Sequence, residues 1–456
     1  MKEKLIGKNK AQSTLEILIA LFILTVSITS AIMISFGNQS ITIDTDLNNQ
    51  AINIARKELE TSRALSRQDF SNLASASSTE DIYLKETIIE NIDANTKKII
   101  NRVSWQIDPL RPQKIELTTI VTDAKKIIQS GDDTGGGGPT GDWRNPQTLG
   151  SVDLGPGNKA TDLDVKNKIV YLSATADAQA KPDFFIVNAT NGQSPFIVSS
   201  INTGKGLNGV DVAGNYAYAV GEDDDKEFIV INISNSSAPI EIVSLNLSGN
   251  ADALTVFYWN GYAYIGREDG APQEFLIINV SNPLSPSVVS GLSEVGGEIN
   301  DIYVFNNRAY LGTEDSGRGM IIVNVSNPAS PSVMGSIDVG DHAYGIYLNN
   351  ENKTLTGEKT KFYIVNASSA SNMTISGSAS IGDKTRDIVS ADSLAFLATE
   401  NPNAEFQVYD ISNPASPSLW SSFNFPQMAT GIDYEDNIVY VSVRSNDALR
   451  IITSTP

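Results

Sequence analysis

The sequence predicts two folds in series: an α+β stem, with a long N-terminal α-helix and a small antiparallel sheet, and then an all-β seven-bladed propeller. Three observations predict this. Residues 17–36 form an uncharged, mostly apolar run, followed by further helical signals. A motif first met as FFIVN recurs seven times at spacings of 42–47 residues. Between the two parts lies QSGDDTGGGGPTGD, a stretch without apolar content.

The length of 456 residues exceeds one ordinary domain and suggests two or three. Charge divides at the same place. Residues 1–128 hold 16 basic and 15 acidic side chains, whereas 129–456 hold 17 and 38, so the formal charge of −20 belongs to the second part. The chain has no Cys and a single His, His342. Disulfide frameworks, thiol nucleophiles and cysteine–metal sites are excluded, and a Ser-His-Asp hydrolase is disfavoured. A pI near 4.5 argues against nucleic acid, whose binding needs Lys and Arg to displace counterions.

The first eleven residues carry Lys2, Lys4, Lys8 and Lys10 against Glu3. The uncharged run from Ile17 to Phe36 would span roughly 30 Å as a helix, the thickness of a bilayer core. It exceeds the h-region of a secretory signal, about 7–15 residues. Glu16 stands at its start, where a carboxylate in apolar surroundings is expensive and usually functional. This arrangement resembles the class III leader of type IV pilins and pseudopilins. The resemblance implies a leader 1–11, cut by a prepilin peptidase between Ala11 and Gln12. Glu16 then becomes the fifth mature residue and pairs with the α-amino group of a neighbouring pilin, as a buried carboxylate requires. Ala11 stands where Gly is usual, and Gln12 where Phe or Met is usual. The resemblance further implies anchorage in the cytoplasmic membrane by one helix, then an extracellular pilus or cell-surface location.

Within a stem spanning 12–128, Ile43, Leu47, Ala51, Ile54 and Leu65 share one helical stripe, interrupted by Glu58. No Pro occurs before residue 109, so one helix over about 14–67 is expected. Three strands should follow, over 81–92, 96–107 and 113–122, from the alternation of Ile99, Val103 and Trp105 and of Ile115, Leu117 and Ile120. Arg102-Val103-Ser104-Trp105 and Ile115-Glu116-Leu117-Thr118-Thr119 resemble minor pilins of the type IV pilus modification class.

Residues 129–142 read as a flexible linker with an r.m.s. span of about 20 Å. Beyond it, Phe184–Asn188, Phe228–Asn232, Phe275–Asn279, Met320–Asn324, Phe362–Asn366, Phe406–Asp410 and Leu449–Thr453 are one motif. Ser-Asn or Ser-Asn-Pro follows four copies. Tyr171, Tyr218, Tyr264, Tyr310, Phe396 and Tyr440 mark a preceding strand, with Leu355 in the fifth copy. A four-strand unit of this length is a propeller blade. The motif resembles the LVIVD-repeat family of β-propellers over about residues 143–456. Leu149–Leu154 matches Met334–Val339, the outer strand of the fourth unit, so residues 147–154 are expected to complete the last blade and remove its free edge.

Loops between second and third strands should share one face with the entries to the inner strands. The candidate binding face is Asp162, Asp223, Asp224, Asp225, Glu268, Asp269, Asp301, Glu314, Asp315 and Asp387. Acidic loops equally keep an extracellular protein soluble. Glu222-Asp223-Asp224-Asp225 offers the hard oxygen ligands that Ca²⁺ favours, without EF-hand spacing; no cofactor is otherwise expected. The expected function is a minor pilin, at a tip because a large head repeats poorly along a fibre, presenting the propeller to a surface, glycan or protein ligand. A pseudopilin of a type II-like secretion apparatus and a pilus-tethered propeller enzyme are the alternatives. The missing Cys, the lone His and the regular blades favour binding over catalysis.

Overall fold

The computed structural model describes residues 25, 47–63, 65, 70, 73–92, 96–106, 112–122, 138–176, 180–293, 295–350 and 352–456. They divide into two compact units between Asp123 and Ala124. Nearly all the regular structure is strand.

The α+β stem with a long helix over about 14–67 is corrected. The described helix is short, residues 47–63 with Leu65 beyond it. Four strands then pair in chain order as a meander: Ala76–Glu80, Tyr83–Asn91, Thr96–Trp105 and Gln113–Thr122. Among the described residues no helix is long and apolar enough to cross a membrane. The reason lies in packing. Helices draw most of their stability from tertiary burial of one face. Here Ala51 and Ala55 pack with Tyr83, Val103 and Trp105, and among the described residues the buried helical positions run from Ala51 to Ser62. Glu58, which interrupts the apolar stripe, is paired with Lys85 at 3.0 Å. The strand Ala76–Glu80 has no alternation to betray it, because all five residues are exposed. The leader, the Ala11–Gln12 bond, Glu16, all of 17–36 except Thr25, and linker residues 129–137 lie outside the described residues.

The second unit holds seven four-stranded antiparallel sheets. Their inner strands are Asn158–Lys166, Leu207–Ala213, Ala253–Trp259, Ile299–Phe305, Gly345–Asn350, Thr385–Ala391 and Ala429–Glu435, which number blades 1 to 7. Each inner strand packs on the next and the seventh on the first, so the ring is closed. The repeated motif is the third strand. Its first four residues are buried in blades 1 to 6, as both faces of that strand meet protein. Tyr171, Tyr218 and Tyr264 stack on the Phe that opens the motif at 6.2–6.4 Å.

The motif ends in Asn because the chain must turn. Asn188, Asn232, Asn279 and Asn324 each accept, through Oδ1, the N–H two residues on at 2.9–3.0 Å. The second Asn of Ser-Asn does the same at 3.2–3.3 Å. These are paired Asx turns. In five blades the turn docks on the outer strand of the preceding blade at a Ser or Gly. Ser199 Oγ donates to Ser236 O at 2.6 Å, and a Cβ on Gly335 would meet Ala370 O at 2.0 Å.

Blade 7 takes its outer strand from the start of the unit. Asp142–Asp153 pairs antiparallel with Asp447–Thr455. Trp143 anchors it. This side chain is 1 % exposed, donates through Nε1 to Asn437 Oδ1 at 3.0 Å, and meets Phe396 edge-on at 4.7 Å between centroids.

Candidate functional site: the central channel

Six of the seven inner strands break register at one place. The bulged residues are Thr161, Asn208, Leu254, Asn300, Arg386 and Thr430. A bulge re-aims a side chain and is common beside functional sites. All six line one cavity of about 210 Å³ at the channel mouth, with Glu222, Glu298, Tyr344 and Arg444 among the other walls. Four of them also staple neighbouring blades. Thr161 Oγ1 donates to Leu207 O at 2.7 Å, Asn208 Nδ2 to Ala253 O at 3.0 Å, Asn300 Nδ2 to Ala343 O at 3.2 Å and Thr430 Oγ1 to Ala160 O at 3.2 Å.

One residue further along the inner strands lies a ring that includes Asp162, Asp301 and Asp387. These three form the floor of the mouth, rather than sitting in its entry loops. Each carboxylate is a strap. Asp162 accepts from Leu163 N–H at 2.8 Å and, across the blade boundary, from Val210 N–H at 3.0 Å. Asp301 accepts from Ile302 and Ile346 N–H, both at 2.7 Å, and Asp387 from Ile388 and Ile432 N–H at 2.7 and 2.8 Å. Burial, then the charge of Asp387, pushes Asp162 up to about 8 and holds Asp301 well above the usual carboxylate range. Burial also pushes Asp387 up to about 7, against the pull of its two backbone donors.

Two residues further still, a second ring carries Asp433, Asp164 and Asp211 on blades 7, 1 and 2, and Phe257, Tyr303 and Tyr347 on blades 3, 4 and 5. With the first-ring carboxylates above, they line a second chamber of about 110 Å³. Asp164 straps Val212 N–H at 2.6 Å and Asp433 straps Val165 N–H at 2.9 Å.

The remaining candidates sit on the rim. Asp223 closes its own turn through Asp225 N–H at 3.3 Å, and Lys205 approaches Asp223 and Asp224 at 3.8 and 3.6 Å. Asp225 and Asp269 are exposed. Glu268 accepts from Asp252 N–H at 3.3 Å; burial, then Glu268 and Glu222, pushes Asp252 up to about 6. Asp315 is committed to Gly317 N–H at 2.9 Å and to Arg318 Nε at 2.7 Å. Glu314 faces His342 Nδ1 at 3.6 Å. The structure therefore separates the ten acidic candidates into three in the channel and seven around its mouth. Among the described residues no group of three or more His, Cys, Asp or Glu is placed to hold a metal ion.

Sequence reasoning missed Asp164, Asp211 and Asp433, the three aromatic residues opposite them, and the basic pair Arg386 and Arg444. A signal existed. Aligning the inner strands on their central aliphatic residue puts TDLDV, NGVDV and TGIDY in register and brings the second-ring carboxylates into one column.

Four segments, 207–246, 248–292, 296–339 and 384–425, match the family model described as LVIVD repeat. The chain carries LVIVD repeats. The matched segments correspond to blades 2, 3, 4 and 6; blade 7 is split between two distant segments and blade 5 lacks the shared bulge. Among solved structures, the WD40 beta propeller domain of Doa1 is similar at 12 % identity and a TM-score of 0.52, over 68 % of this chain and 97 % of that one. A chain of the Mitotic Checkpoint Complex is similar at 11 % identity and a TM-score of 0.54, over 69 % and 96 %. Such identities show the fold alone, a β-propeller. No curated protein matches the chain.

Proposed function

We propose that this LVIVD-repeat propeller is a ligand-binding module displayed outside the cell, with its channel mouth as the binding site, on a chain processed and used as a minor type IV pilin. One observation carries the binding reading. Six bulges at one register turn two Thr, two Asn, a Leu and an Arg into a single cavity. The Thr and Asn also staple blades, but Leu254 and Arg386 make no such staple among the described residues, and a concave surface with a few placed polar groups is what a binding site requires. Binding is preferred to catalysis because the titratable groups of the channel floor are committed to backbone N–H donors, leaving no paired acid and base. The pilin role is supported by the sequence alone: the basic leader, the Ala11–Gln12 junction, Glu16 and the uncharged run after it. Prepilin peptidase and other pilins are the partners it implies.

Immunogold labelling of sheared filaments, with mass spectrometry of the mature N-terminus, tests the proposal. Label at filament tips and a mature chain starting at Gln12 are expected. Filaments without label, or a chain that keeps Met1–Ala11, would sink the pilin role. Surface binding that survives Arg444→Glu and Asn208→Lys together would remove the channel mouth as the binding site.

A further inference from the structure

The second chamber is asymmetric in a way the mouth is not. Its carboxylates, Asp433, Asp164 and Asp211, come from three successive blades and form one wall, while Phe257, Tyr303 and Tyr347, from the next three, form the opposite wall. The rings pack on one another at 5.0–5.1 Å between centroids, tilted or edge to face. The three carboxylates also strap the next blade, Asp433 through Val165 N–H, Asp164 through Val212 N–H and Asp211 through Tyr258 N–H, but the ring closes without such a strap in every blade. Val389 holds the same ring position in blade 6, so an aliphatic side chain suffices there. A carboxylate arc facing an aromatic arc across a small cavity answers one chemistry. A diffuse positive charge on an apolar body gains from the negative faces of aromatic rings and from fixed anions together.

We propose that this chamber seats an organic ammonium group, the methylated or alkyl-substituted ammonium of a larger ligand, entering from the mouth past Asp162, Asp301 and Asp387. The inference rests on the reading of the channel as the binding site and names the class of group it takes. The chamber, about 110 Å³, is smaller than the roughly 150 Å³ cavity that holds a whole benzene ring, so it takes only the head group and leaves the rest of the ligand in the mouth. A hard metal ion is a poorer occupant. Calcium takes six to eight oxygen ligands around it, and here half the wall is carbon. An anion is excluded by the sign of the wall.

The test uses the full-length chain in a non-ionic detergent, with tetramethylammonium as the probe and tert-butyl alcohol as a neutral compound of similar shape. Binding is followed by isothermal titration. Saturable binding of tetramethylammonium, with none of the alcohol, is expected. Asp164→Asn and Phe257→Leu should each weaken binding at least tenfold, with melting curves recorded to show that both variants fold. Phe257 is only half-buried, so its variant keeps the test open if Asp164→Asn unfolds. No saturable binding by the parent chain overturns the inference. So does equal binding of the alcohol, unchanged affinity in a folded variant, or displacement of the probe by equimolar Ca²⁺. If ammonium binding fails while surface attachment still depends on the mouth, this inference alone falls. If the chain seats ammonium yet attaches to nothing through the mouth, the broader reading falls instead.

Discussion

The Asp162 carboxylate, on the floor of the channel mouth, accepts one backbone N–H from its own blade and one from the next. Its position suggested a ligand at a loop entry, but it is a strap that ties blade 1 to Val210 of blade 2. Its high pKa makes that strap sensitive to pH. An ordinary unfolded Asp titrates near 4, whereas Asp162 holds its proton up to about 8. Between those values the folded protein binds more protons than the unfolded chain, so stability falls as pH rises. The urea midpoint should therefore drop from pH 5 to pH 8. Asp162→Asn should flatten that slope and also cost about 1–3 kcal/mol, because one backbone N–H loses its acceptor. Midpoints measured at both pH values decide it; a slope equal to the parent's would refute the assignment. The acidity of this site was legible in the sequence, but its role was not. Whether a carboxylate faces solvent or a neighbour's N–H depends on the blade beside it, and no local pattern encodes that contact.

At the scale of elements, the blades were readable because they repeat. Seven copies of a five-residue motif average away the ambiguity of any single apolar run. The stem had no such help. Its helix periodicity was real over Ala51 and Ala55, but a stripe does not reveal where its covering sheet ends. The strand most dependent on distant partners is Asp142–Asp153, fastened by Trp143. Trp143→Ala should cost about 3–5 kcal/mol. At roughly 2–4 °C per kcal/mol for a large domain, that lowers the melting temperature of the propeller by about 10 °C in calorimetry. A loss under about 2 °C would mean that the strand contributes little to closure. Gly335 is the comparable point on a blade surface, where an added Cβ meets backbone rather than a movable side chain.

For the whole molecule, two units with separate cores should melt as two events rather than one. The four tryptophans make this measurable. Trp105 lies in the stem sheet, with Trp143, Trp259 and Trp420 in the propeller. Trp105→Phe should remove the fluorescence change of the stem transition and leave the propeller transition in place. A single transition reported alike by both proteins would contradict independent units. The formal charge of −20 divides on the same line, and in the propeller part of the acidity is spent inside the ring rather than on its surface.

The latch of blade 7 also has a mechanical meaning. A force transmitted from residue 138 to anything gripped in the channel enters the ring along Asp142–Asp153 itself. That strand lies antiparallel to Asp447–Thr455, so a pull along its axis loads the ladder in shear, with many hydrogen bonds sharing the tension at once. Trp143 sits at the loaded end as a buried stop. A pull across the strand would instead peel the same bonds one at a time, so the seam that holds the ring shut also sets how the ring answers to force.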